Sequence, residues 1–178
     1  MTRDRLAKLP PVFTENGTVT VGNACPINDG AAAVLMMSES RARAIGITQG
    51  LRFIDSATVG VDPNLAGIGP VAATQALFTR QHDRTLADVT QVEFNEAFAS
   101  QVLASLDQLQ IPETIVNLGG GAIALGHPYG ASGAILITRL FTDLVRFSPE
   151  PPSLGLATIG VGGGLGISTL VEPWLSIA

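Results

Sequence analysis

Gly119-Gly120-Gly121-Ala122-Ile123-Ala124-Leu125-Gly126-His127-Pro128-Tyr129-Gly130-Ala131-Ser132-Gly133 is a glycine-rich loop that carries one histidine and runs into an apolar helix. Pro128 biases His127 toward extended backbone, and the flanking glycines allow close approach of a ligand. The helix predicted over residues 131–147 would point its free amides and positive dipole end back at this loop. Upstream lie a short strand, Val92-Glu93-Phe94, a helix over residues 97–109, and the pair Ile115-Val116. Downstream, a proline-rich surface loop over residues 148–153 precedes a strand pair, residues 154–161 and 165–171. Strands that alternate with helices and close in a hairpin predict an α/β fold, a mixed β-sheet with helices on both faces.

The segment before this unit reads differently. Residues 1–13 predict a short polar helix ending at Leu9-Pro10-Pro11. Asn16-Gly17 marks a turn, and Thr18-Val19-Thr20-Val21 alternates as a strand does. A loop over residues 22–30, an apolar run over residues 31–37 and a helix capped by Ser38 and ended at Gly46 follow. A new unit begins near Thr48, with a strand over residues 51–61, a loop over 63–69 and a helix over 70–82 that has proline in its first turn. Thr85-Leu86-Ala87-Asp88 resembles a capping box, with Asp in the role of Glu. The helix over 97–109 carries Asp107 as its only charge, which predicts burial on most sides.

Of the 178 residues, 46% are hydrophobic, 5% aromatic and 14% charged, and 20 are glycine. A core of small aliphatic side chains joined by tight turns is what layered α/β folds use. The net charge of −5 argues against a nucleic-acid partner, because phosphates call for a basic face. A single cysteine excludes an internal disulfide and fits a reducing, cytoplasmic location. The charged N-terminus leads into no apolar signal core. Mean hydropathy is +0.37 and residues 151–171 carry no charge, a stretch long enough to cross a bilayer. Six glycines within it, each costing about 1 kcal/mol in a helix, favour a buried strand pair and no membrane span.

Three segments place polar or glycine residues at the end of a strand, where sites collect in open α/β sheets. In Glu93-Phe94-Asn95-Glu96-Ala97-Phe98, the plain reading of Asn95 and Glu96 is helix capping. A histidine alone is more often structural than reactive, and the glycine setting of His127 shifts that balance. The bare amides of Gly160-Val161-Gly162-Gly163-Gly164-Leu165-Gly166 could line an oxyanion hole or simply make a tight turn. His82 ends a helix and reads as solvated.

Taken together and in order, Asn-Glu-Ala-Phe, then Gly-Gly-Ala-Ile-Ala-Leu-Gly-His-Pro-x-Gly-Ala-Ser-Gly, then Leu-Ala-Thr-x-x-x-Gly-Gly-Gly-x-Gly resemble thiolases, the family of acetyl-CoA acetyltransferase. Further matches are Thr18-Val19-Thr20, Asn28-Asp29-Gly30-Ala31-Ala32, Gly60-Val61-Asp62-Pro63 and Gly67-Ile68-Gly69-Pro70. The resemblance covers essentially the whole chain and implies one half of the thiolase fold. Residues 1–47 would be a remnant of the N-terminal domain, a linker, strand and helix, and residues 48–178 the C-terminal domain.

The same resemblance implies acyl exchange between a cysteine and coenzyme A, and formation or cleavage of a carbon–carbon bond beside a thioester (Claisen chemistry). His127 would activate the nucleophile and contribute to one oxyanion hole, which Asn95 would complete through a water. Gly162 would donate a backbone amide to the second hole. Phe98 and the loop around Ala66 would line the acyl and pantetheine pocket, and Cys25 stands where a serine near coenzyme A is usual. No metal and no cofactor is expected; the coenzyme A thioester enters as substrate.

Two catalytic parts have no match. The family's nucleophilic cysteine belongs to its N-terminal half, and the position of its acid/base cysteine is Gly160. Gly119 replaces a usual asparagine and would loosen the loop. The chain by itself is therefore expected to be inactive. Two readings follow: a thiolase part completed by an N-terminal half, or a non-catalytic relic or assembly module. In either, the apolar run over residues 31–37 would be exposed and would favour association through residues 14–47.

Overall fold

The computed structural model describes residues 2–147 and 153–176. Its elements in chain order are α1 (Arg3–Leu6), α2 (Glu39–Ala44), β1 (Gln49–Gly60), α3 (Gly69–Thr79), β2 (Val89–Phe94), α4 (Ala99–Leu109), α5 (Ala122–Leu125), α6 (Ser132–Phe141), β3 (Leu154–Val161) and β4 (Leu165–Leu175). The four strands form one sheet in the order β1-β4-β3-β2. β2 runs parallel to β3, while β4 is antiparallel to both its neighbours. The parallel pair needs a long crossover, which α4, α5 and α6 supply. The expected mixed sheet is present, and its last two strands form the expected hairpin.

Alternation along β3 gives the sheet two covered faces. Leu154 and Leu156 join Val71 and Leu77 of α3 and Val102 and Leu106 of α4 in one core. Ala157 turns to the opposite face and packs with Leu136 and Leu140 of α6, Leu144 and Val171. Gly155 admits this second layer, since a Cβ there would lie 2.7 Å from Leu144 Cδ1. Residues 142–147 continue α6 as a wider π-helical turn. The proline-rich loop read over residues 148–153 falls outside the described residues apart from Ser153.

Several local readings need correction. The N-terminal helix is one turn, Arg3–Leu6, capped by Thr2. Residues 18–21 form no strand: Thr20 makes a single bridge to Pro11, and Val12 N–H donates to Val19 O at 2.9 Å. A strand exists only beside a neighbour, and this one has two residues of neighbour. α4 is buried on one face alone, through Gln101, Val102, Ser105, Leu106 and Leu109, whereas Leu103 is exposed. Ser100, Ala104 and Gln108 meet solvent without carrying charge, so lack of charge did not mean lack of water.

Other local signals hold. Ser38 Oγ accepts Arg41 N–H at 3.3 Å, and Thr85 and Asp88 exchange both capping-box bonds. Residues 31–37 are exposed throughout and belong to no helix or strand, with Leu35 83% exposed. Among the described residues, no helix is long and apolar enough to cross a membrane.

Candidate active site

β2 ends at Phe94, paired with Thr158 of β3. The next residue, Asn95, stays in register, since its N–H donates to Thr158 O at 3.0 Å. That places its side chain at the carboxyl end of two parallel strands, where such sheets open a crevice. Asn95 is buried, and its Nδ2 lies 3.3 Å from His127 Nε2. On the other side of the ring, Nδ1 lies 2.6 Å from Ser132 Oγ, the first residue of α6. His127 is 7% exposed, and Tyr129 packs edge-on against its ring with centroids 4.8 Å apart.

The backbone of His127 is fixed from the first segment of the chain. Its N–H donates to Asn28 Oδ1 at 2.7 Å, and Ile27 forms a bridge with it. Asn28 fills the space over Gly126, whose φ of +108° suits glycine alone. The preceding residues run beside the start of α4: Cys25 N–H donates to Ala97 O and Ala99 N–H to Asn23 O. Ala24 bridges Phe98, and Phe98 meets Phe13 edge-on at 5.8 Å.

Glu96 accepts Ile123 N–H of α5 at 3.1 Å. α4, the helix that directly follows Asn95 and Glu96, has no side-chain cap, so the plain capping reading holds only for a different and more distant helix. Glu96 also accepts from Asn117 Nδ2 at 2.7 Å. Asn117 is buried and left-handed, at φ +48°. Its amide spans both backbone groups of Phe94, accepting from N–H at 2.8 Å and donating to O at 2.9 Å. It thus acts as an extra strand residue on the outer edge of β2. Its weight was hidden in the sequence because its partners Phe94 and Glu96 lie 23 and 21 residues away.

The loop at Gly119 is tied down, contrary to the looseness its sequence implied. Arg139 Nη2 donates to Gly120 O at 2.7 Å and sits 2.9 Å from where a Gly119 Cβ would be. The same guanidinium donates from Nε to Glu93 Oε2 at 2.6 Å. Glu93 is 1% exposed, and its Oε1 has no protein partner. Beside it is a cavity of about 30 Å³ bordered by Asn95, Gly121, Ser132 and Arg139, large enough for a water. Burial pushes the Glu93 carboxyl up, and Arg139 pulls against that shift.

Gly160 lies two residues beyond Thr158 on β3, roughly 7 Å further at about 3.3 Å per residue. A Cβ there would meet Gln101 Nε2 at 3.4 Å and Ala66 O and Pro70 Cδ at 3.7 Å, ordinary contacts. Gln101 Oε1 is buried beside it without a partner. Gly162 is exposed at the β3–β4 turn, with open space where its side chain would be. The structure thus joins Asn95 and His127 directly, sets Gly160 and Ala66 against one another, and keeps Phe98 with the first segment. Burial pushes the Cys25 thiol up, which leaves it un-ionised and a poor nucleophile at neutral pH. His82 is exposed, as read. Among the described residues, no group of three or more His, Cys, Asp or Glu side chains could hold a metal ion.

Burial also lowers the pKa of His127. The folded state then binds this proton less well than the unfolded chain does. Its contribution to stability is complete above the free-histidine value of about 6.5 and is lost as pH falls through that range. Urea unfolding between pH 7.5 and 5 should show a steeper acid-side loss for the wild type than for His127→Gln.

A model of the family described as "Thiolase, C-terminal domain" matches residues 48–173, and one described as "Thiolase, N-terminal domain" matches residues 1–40. The chain is 51% identical over 174 residues to VraB of Staphylococcus epidermidis, a protein named for acetyl-CoA C-acetyltransferase activity. That match covers 98% of this chain and 44% of VraB. The crystal structure of the Bacillus anthracis acetyl-CoA acetyltransferase superposes with a TM-score of 0.91 at 38% identity, covering 97% of this chain and 43% of that one. The dimeric peroxisomal thiolase of Saccharomyces cerevisiae gives 0.89 at 34% identity, covering 97% and 42%. The chain therefore spans less than half the length of the proteins it matches.

Proposed function

This chain belongs to the thiolase family, and from that premise we propose that it supplies the histidine and oxyanion half of an acyl-transfer site for coenzyme A thioesters. One observation carries the reading: the buried His127 imidazole held between Asn95 and Ser132 at the carboxyl end of β2. In this reading a cysteine from a thiolase N-terminal domain outside this sequence attacks the thioester carbonyl. The new sulfur–acyl bond replaces the acyl bond to coenzyme A. The cysteine proton passes to His127 Nε2 and on to the departing thiolate. Asn95 and the Gly162 amide stabilise developing oxyanions, while Ala66 and Phe98 border the acyl path. A cytoplasmic location belongs to the same proposal, supported by a single cysteine left unpaired.

Gly160 removes the group that would move the second proton, so acyl exchange would outlive carbon–carbon chemistry. The chain should be mixed with a thiolase N-terminal domain, treated with acetyl-CoA and examined by intact mass. Acyl-cysteine should form with the wild type and be lost with His127→Ala. A stoichiometric complex that forms no adduct overturns the catalytic reading.

A second reading, an assembly module, draws on the exposed residues 31–37 together with Gly160. Here the surface of residues 14–47 holds either an N-terminal half or a second copy, and the dimeric yeast relative supports the latter. Sedimentation of the chain alone, with Leu35→Glu as control, distinguishes a dimer from a monomer.

A further inference from the structure

We propose that Ser132 is a positioning residue that, with Asn95 on the other side of the ring, holds His127 in the tautomer with the proton on Nδ1 and Nε2 unprotonated. The proposal rests on the reading of His127 as the base that receives the cysteine proton, because only an unprotonated Nε2 can accept it. Ser132 Oγ lies 2.6 Å from Nδ1, and Ser132 is 3% exposed, so bulk water does not compete for either atom.

The backbone makes this contact rigid. A tight turn, Tyr129–Ala131, links the histidine to the first residue of α6, and Ala131 N–H closes it onto Pro128 O at 2.9 Å. Asn28 pins the amide of His127 at the same time. The ring therefore stays between two fixed partners. On its far side the Asn95 Nδ2 group faces Nε2. An amide NH₂ only donates, so Nε2 must accept, and the remaining imidazole proton must sit on Nδ1 with Ser132 as its acceptor. A hydroxyl serves this purpose without bringing a charge. It orients the ring and leaves it a neutral base, whereas a carboxylate partner would also stabilise the protonated ring.

Only two histidines are present and His82 is exposed, so the whole chain can be studied with labelled histidine and no ambiguity of assignment. Long-range proton–nitrogen correlation at neutral pH should show His127 with a protonated Nδ1 and an unprotonated Nε2. Free imidazole favours the opposite form, which His82 should display as an internal reference. Ser132→Ala should move His127 toward the His82 pattern, and Ser132→Thr, which keeps the hydroxyl, should restore the wild-type one. A wild-type His127 protonated on Nε2 overturns the proposal, as does a folded Ser132→Ala with an unchanged tautomer. Should either variant unfold, the wild-type spectrum alone decides. None of these readings requires acyl transfer, so a failed acyl-cysteine assay beside an Nδ1–H spectrum refutes the function and leaves the positioning role.

Discussion

Gly160→Cys, in complex with a thiolase N-terminal domain, is expected to raise the rate of carbon–carbon bond formation or cleavage by roughly 10²–10⁴-fold, the usual worth of a placed proton-transfer group. The site has room for it. The nearest atoms to a Cβ at position 160 belong to Gln101, Ala66 and Pro70, and none is closer than 3.4 Å. At Gly166, on the partner strand, a Cβ would collide with the backbone of Gly69, so the same change there would push the start of α3 off the sheet. The unpartnered Gln101 Oε1 also gives a thiol an acceptor. Acyl-cysteine formation should change little, since it does not use position 160. Gly160→Ala fills the space without a proton and should give no gain. Rates with acetoacetyl-CoA, set against adduct formation by mass, separate the two steps. Adduct formation with no gain in the Cys variant would show that more than one group has been lost.

Arg139→Met is expected to destabilise the fold by about 3–5 kcal/mol, the typical cost of breaking a buried ion pair from one side. Glu93 is almost fully buried and Arg139 is its one charged partner among the described residues. Removing the guanidinium also frees Gly120 O. The carboxyl, already raised by burial, would rise further. A carboxyl with a raised folded pKa contributes stability that is complete below its unfolded value, about 4.3, and is lost as pH rises through the folded value. The defect should therefore be largest at neutral pH and shrink on acidification, opposite in direction to the effect of His127. Glu93→Gln with Arg139→Met should recover much of the loss, because no charge is left in the interior. Urea unfolding of the two single variants and the double variant checks this; equal stability of Arg139→Met and the double variant at pH 7 would refute it.

The sheet, its hairpin and the loop around His127 were legible in the sequence because glycine, proline and alternating apolar residues act over a few positions. Asn95 and His127 could be paired through the resemblance, and the structure brings them within 3.3 Å. Residues 18–21 were misread because a strand is a property of two segments, and local alternation reports only one. α4 was misread because uncharged residues such as Ser100, Ala104 and Gln108 can face water, so a lack of charge does not report burial. Asn117 and Arg139 stayed silent for a different reason: Phe94 lies 23 residues from the first and Glu93 lies 46 from the second, and no spacing rule joins either pair.

The bonds from Asn23 and Cys25 to residues 97–99, and from Asn28 to His127, join the first segment to the sheet unit. This bears on how such genes can recombine. A crossover near codon 48 would pass on every strand of the sheet intact, yet would exchange the residues that set the backbone of the histidine. Folding competence would be inherited from one parent and the alignment of the site from both. Chimaeras joined there should fold readily and differ from each other mainly in the geometry around residue 127, so the unit that shuffles well in this architecture is larger than the unit that folds.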